Sequence, residues 1–203
     1  MGPAGNGWAA LYSSREMKIT LLLTTGLLVA WSSTQAKTAD KASGEVRSAL
    51  SRVLGTAIAP SDTPLTGDFN GDGSPDLAVP IQATPELAQQ STAAFSNWTL
   101  EDPDTIPSLD PAASAQPLPP APAAVHLYAG EPLLLILHGY GERGWRNPQA
   151  RQAFLLAFPA ADHPPIFTLA RRARNSTTDT LCERNTARCL VWNGAYYVWR
   201  KSR

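Results

Sequence analysis

The stretch Asp68-Phe69-Asn70-Gly71-Asp72-Gly73-Ser74-Pro75-Asp76-Leu77-Ala78-Val79 constrains this chain more than any other. Oxygen-bearing side chains fall at alternate positions, and the last acid runs straight into an apolar run. Asp68, Asn70, Asp72 and Asp76 occupy positions 1, 3, 5 and 9 of a D-x-N-x-D-G-x-x-D pattern, with Ser74 at position 7 offering its backbone carbonyl. Alternate side chains in a tight loop can turn toward one centre. Carboxylates gathered there repel one another, and a hard divalent cation with roughly six to eight oxygen ligands relieves that repulsion. Gly73 stands where the sharp turn calls for a positive φ. The same residues also suit an Asx-turn loop that holds no ion.

The stretch is not a complete EF-hand, because Val79 stands where that motif carries its bidentate Glu. With its closing acid at Asp76 and a strand directly after, it resembles the calcium loop of FG-GAP/VCBS-type repeats. The resemblance covers residues 68–79 alone. It implies Ca²⁺ ligation by Asp68, Asn70, Asp72 and Asp76 and by the main chain of Ser74. Such repeats come in tandem and build β-propellers; one copy is present here, so a full propeller is not expected.

A chain of 203 residues suits one domain of ordinary size. Its 17 basic and 17 acidic residues leave no basic stripe for nucleic acid. Met17-Lys18, the apolar run through Leu21-Leu22-Leu23 and Leu27-Leu28-Val29, and Thr34-Gln35-Ala36 have the form of a secretory signal peptide. The expected organisation is an upstream extension over 1–16, a signal peptide over 17–36, and a single domain over 37–203, periplasmic or secreted, with no membrane span after cleavage. The only cysteines, Cys182 and Cys189, then suit a disulfide.

Val46, Leu50, Val53 and Leu54 recur at helical spacing over 42–54, with Gly55 as the stop. Asp76 to Ile81 reads as a strand, with Pro80 marking its end or an edge position. Residues 86–90 favour a short helix, and seven prolines between 102 and 122 mark an insertion. Residues 123–128 alternate like a strand. Leu133-Leu134-Leu135-Ile136-Leu137 reads as a strand buried on both faces. Asn147-Pro148 is expected to open a helix running to Phe158, and residues 166–169 to form a strand. Residues 189–192 and 195–199 flank Asn193-Gly194 as a hairpin with a two-residue turn. The fold class expected is α+β: a mainly antiparallel sheet with two or three packed helices and a C-terminal β-hairpin.

No catalytic set stands out. His138-Gly139-Tyr140-Gly141 after the apolar strand is similar to the His-Gly turn of α/β-hydrolases, but no G-x-S-x-G accompanies it. His126, His138 and His163 match no metal motif. The leading expectation is a non-enzymatic exported domain with a structural Ca²⁺ loop and a protein or envelope-glycan partner. A small hydrolase using His138 with Glu142 or Asp162 is the alternative. A glycan-recognition module using Trp145, Trp192 or Trp199 is another.

Overall fold

The computed structural model describes residues 42–91, 98–106, 125–159, 164–172 and 177–201. The expected signal peptide, most of the proline-rich insertion, His163 and Asp162 lie outside them. The chain divides into two compact units, Met1–Gly44 and Glu45–Arg203. Only 42–44 of the first are described; the second holds both sheets and all but the first residues of the leading helix.

Helix α1 spans 42–54. It buries Val46, Ala49, Leu50, Val53 and Leu54, an i, i+3, i+4, i+7, i+8 stripe. Gly55, at φ 69°, stops it by returning its N–H to the Ser51 carbonyl. Five strands build the first sheet: β1 (Leu65–Gly67), β2 (Asp76–Gln82), β3 (Trp98–Glu101), β4 (Pro132–Leu137) and β5 (Ala153–Ala157), in the order β1-β2-β4-β5-β3. All pairs are antiparallel except β3 with β5. Helix α2 (Pro85–Gln90) follows β2, capped by the Thr84 hydroxyl on the Leu87 N–H. The second sheet is a meander of β6 (Phe167–Ala170), β7 (Thr180–Glu183), β8 (Arg188–Trp192) and β9 (Tyr197–Lys201). The architecture is α+β, and neither sheet closes into a barrel or propeller blade ring.

The apolar run of β4 explains the layering. Leu133, Leu135 and Leu137 join the core under α1 and α2, while Leu134 and Ile136 join the core facing the second sheet. Strand β5 alternates the same way, with Ala153, Leu155 and Ala157 on the helix side and Phe154 and Leu156 on the other. Period-2 alternation thus gives a central sheet two apolar faces.

Several expectations are corrected. The helix expected from Asn147 to Phe158 is instead a turn followed by β5: the Asn147 carbonyl takes the Ala150 N–H, and its side chain takes the Gln149 N–H. Ala153-Phe154-Leu155-Leu156-Ala157 has no polar residue at helical spacing, which is what burial on two faces of a sheet requires. Residues 125–128 form no strand; Gly130 and Glu131 bond back to Ala83 in a turn instead. Strand β2 runs one residue beyond the expected Ile81, with Pro80 in an edge position as expected. The Pro80 carbonyl accepts from Ser61, so its missing N–H faces the side where β1 has already ended. The C-terminal hairpin forms, but its turn centres one residue late. Asn193 donates to the Tyr196 carbonyl, leaving Gly194, at φ 102°, and Ala195 at the tip.

Cys182 and Cys189 are bonded across directly opposed positions of β7 and β8. In a chain-entropy account a loop this short contributes about 2 kcal/mol. A Cys182→Ala/Cys189→Ala variant should lose about that much in chemical denaturation with its m-value unchanged. An unshifted midpoint would show the bond to be thermodynamically idle.

Candidate functional site

Asp68 to Asp76 close on themselves through backbone donors. Asp68 Oδ1 accepts from the Gly71 N–H (2.8 Å) and Oδ2 from the Gly73 N–H (3.1 Å). Asp72 Oδ1 accepts from Ser74 (2.7 Å), and its Oδ2 takes the Asn70 Nδ2–H (2.8 Å). Asn70 Oδ1 accepts from the Asp72 N–H. The turn is sharp at Gly73, where φ is 85° as expected.

Asp76 behaves differently. It has no exposed surface, and three amides converge on its carboxylate. Oδ2 accepts from Phe69 (2.7 Å) and Asn70 (3.2 Å), and Oδ1 from Gly139 (2.6 Å). Burial pushes this carboxyl up to about 6, against the pull of the Gly139, Phe69 and Asn70 amides and with a smaller push from the Asp72 charge. The preceding residue completes a clasp. The Pro75 carbonyl accepts from the Trp145 N–H (2.8 Å), and a Cβ at either Gly139 or Gly144 would overlap that same oxygen. The His-Gly turn after β4 is therefore glycine-rich because the acidic loop packs against its backbone.

Asp179, just before β7, holds the loop from the other side. Its amide donates to the Asp68 carbonyl (2.8 Å), and its Oδ2 accepts from the Asp68 N–H and from Arg171 (both 3.0 Å). Oδ1 accepts from the Arg172 N–H. Burial opposes ionisation here, but the Asp68 and Arg172 amides and the Arg171 guanidinium outweigh it and hold the carboxyl below its usual range.

Asp68, Asn70 and Asp72 thus lie together on the loop, Ser74 joins through its amide, and Asp76 sits beneath, already engaged. Among the described residues no three carboxylate, imidazole or thiol groups converge as around an ion. The donor chemistry itself is all oxygen and suits a hard cation, and Asp72 is exposed while Asp68 and Asn70 are half-buried.

His138, the residue after β4, is buried and in contact with Tyr197 Oη through Nε2 (2.7 Å). Its ring centroid lies 5.0 Å from that of Phe154 and 4.9 Å from that of Trp192. Burial lowers its pKa; a bond with the Gln152 side chain and the charges of Asp72 and Asp68 work the other way. Glu142 is exposed, and His126 lies in the irregular segment before β4, not on a strand beside His138. Trp145 is 2% exposed, so its ring offers no platform; Arg146 stacks over it at 4.0 Å. Trp192 and Trp199 are half-buried. Two polar residues carry no mark in the sequence. One is Asp179. The other is Glu101 on β3, buried, with Oε2 accepting from the Tyr197 N–H (3.2 Å) and Oε1 unpartnered. Only a strand assignment placing β3 against the second sheet exposes the latter.

Comparison with known proteins gives no match: no family model, no curated protein and no solved structure is similar to the chain. The likeness of the loop to FG-GAP/VCBS repeats accordingly rests on its own residues.

Two outcomes are expected from this geometry. Gly139→Ala should destabilise by about 1–3 kcal/mol, because the rigid Pro75 carbonyl has to move; a neutral substitution would mean that the clasp is loose. Burial raises the Glu101 carboxyl to about 7 from 4.5, opposed by the Tyr197 N–H. The native state then keeps a proton that the unfolded chain gives up, so this group lowers stability as pH rises from about 4.5 to about 7. Glu101→Gln should remove that slope, gaining on the order of 1–2 kcal/mol at pH 8 after solvent screening and nothing at pH 4. Parallel stability–pH profiles for the two proteins would refute the assignment.

Proposed function

We propose that the chain is an exported, non-enzymatic domain with a binding or accessory role in the cell envelope, and that its acidic loop takes a structural Ca²⁺. The observation that carries this reading is the loop's position. Asp76 and Pro75 tie it to the turn after β4, and Asp179 ties it to the entry of β7. An ion held by Asp68, Asn70, Asp72 and the Ser74 main chain, with Asp76 as the acid beneath, stabilises the joint between the two sheets. The Cys182–Cys189 bond favours an oxidising compartment, periplasmic or extracellular.

The hydrolase alternative draws less support. His138 is 3% exposed, its ring engaged by Tyr197 and its amide by the Gln152 carbonyl. A general base has to reach a substrate proton, and this ring is enclosed by aromatic side chains. A partner protein or an envelope glycan remains the expected ligand class, and a nucleic acid is not.

Thermal melting of the purified protein in millimolar Ca²⁺ and in chelator tests the reading. An occupied loop should raise stability by about 1–3 kcal/mol at saturating ion. Asp72→Ala should abolish the increment while leaving the Asp76 clasp intact. Superimposable curves for the parent protein would overturn the proposal.

A further inference from the structure

We propose that the cleft between the hairpin tip Gly194–Ala195 and the starts of β3 and β5 binds a neutral carbohydrate ring. The cleft measures about 440 Å³ and is open to solvent along one side. Trp98, Thr99, Gln152, Phe154, Trp192 and the Gly194–Ala195 turn line it. Among the described residues no ionisable side chain lines it. The contrast is with the groove of about 550 Å³ beside the acidic loop, lined by Asp68, Asp179, Arg171 and Arg172, whose charges pair with one another.

The lining chemistry selects the ligand. A charged ligand finds no counter-ion in the cleft, and a purely aliphatic one leaves the Gln152 amide and Thr99 hydroxyl desolvated. A pyranose ring satisfies both surfaces. Its C–H face lies on an aromatic ring, and its hydroxyls exchange hydrogen bonds with amide and hydroxyl groups.

The walls are also held in place. Trp192 packs against His138 edge-on at 4.9 Å, against Phe154 at 4.9 Å and against Tyr197 at 5.1 Å. The Gln152 carbonyl accepts from the His138 N–H (2.9 Å). The enclosed His138–Tyr197 pair thereby orients the residues that face the ligand, which reduces the ordering cost of binding. Trp192 is the recognition aromatic here; Trp145 is enclosed and Trp199 stacks on Phe167. The inference rests on reading the domain as a binding module and is independent of the cation.

The full-length protein is titrated with maltotriose, cellotriose, chitotriose and xylotriose, and with adenosine as a planar aromatic probe. Tryptophan emission and calorimetry are followed in Ca²⁺ and in chelator. At least one trisaccharide should bind with a Kd in the region of 0.1–1 mM, about the strength of a small polar site. Gln152→Ala should weaken it about tenfold, as expected for a lost hydrogen bond. Ala195→Trp, at an exposed tip position, should abolish binding with Tm unchanged. No response to any trisaccharide at about 10 mM, binding of adenosine alone, or unaltered binding by the Ala195→Trp protein each overturns the proposal. Sugar binding with no Ca²⁺ effect on melting would sink the cation reading and leave this one standing.

Discussion

A carboxylate with no exposed surface, and with no cationic partner among the described residues, has to be met by dipoles, and at Asp76 the backbone supplies them. Two amides come from the loop's own start and the third from Gly139, 63 residues further along the chain. Hydrogen bonds to a charged acceptor are shorter and stronger than neutral ones, and burial strengthens them further. Losing the acid would leave three donors without an acceptor. This side chain therefore fixes where the loop ends, where β2 begins and where the chain turns after β4. The Pro75 carbonyl repeats the link one residue earlier, and the close approach admits only glycine at 139 and 144.

From that clasp the layers build outward. Strands β2, β4 and β5 place alternate side chains into two cores, so the central sheet needs a cover on each side. Helices α1 and α2 supply one. Arg52 reaches the Trp145 carbonyl (2.9 Å), and Arg146 reaches Glu45 (2.7 Å), tying α1 to the turn that carries Gly144. The second sheet supplies the other through His138, Phe154, Trp192 and Tyr197, with Phe158, Phe167 and Trp199 beyond them. Pairs of this kind contribute about 0.5–1.5 kcal/mol beyond their area. Most of the C-terminal aromatics are spent on this interface, as a strand-rich aromatic segment suggests.

Features that announce themselves locally are legible in the sequence. The amphipathic stripe of α1, the unbroken apolar run of β4, the Asn-Gly hairpin and the cysteine pair each carry their own period, turn chemistry or bond. Residues 153–157 mislead because an all-apolar segment has no period, and Asn147-Pro148 offers a helix start that a turn uses equally well. Strand β3 is short, and its parallel partner lies more than fifty residues away, so nothing nearby marks it. The spacing of the acidic loop is plain, but the distinct duty of Asp76 is not. A carboxylate that serves distant amides leaves the same trace in sequence as one that serves an ion. Asp179 and Glu101 are isolated acids whose importance comes only from what tertiary packing brings to them.

On the proposed reading, the division of labour among the acids also sets the scale of cation affinity. Asp76 already receives three amides, so an ion gains less from it than from a free carboxylate. Asp68 and Asp72 accept loop amides too, and ligation exchanges those contacts instead of adding to them. The gain from the ion is then the difference between two satisfied arrangements, not the full relief of repulsion among unpaired charges. Arg172, 3.7 Å from Asp68, trims it further. Such a loop belongs at the weak end of calcium sites, around 10⁻⁴–10⁻³ M, where extracellular modules operate. A site of that strength is of use only where free Ca²⁺ is abundant, and this condition agrees with the oxidising compartment that the disulfide favours.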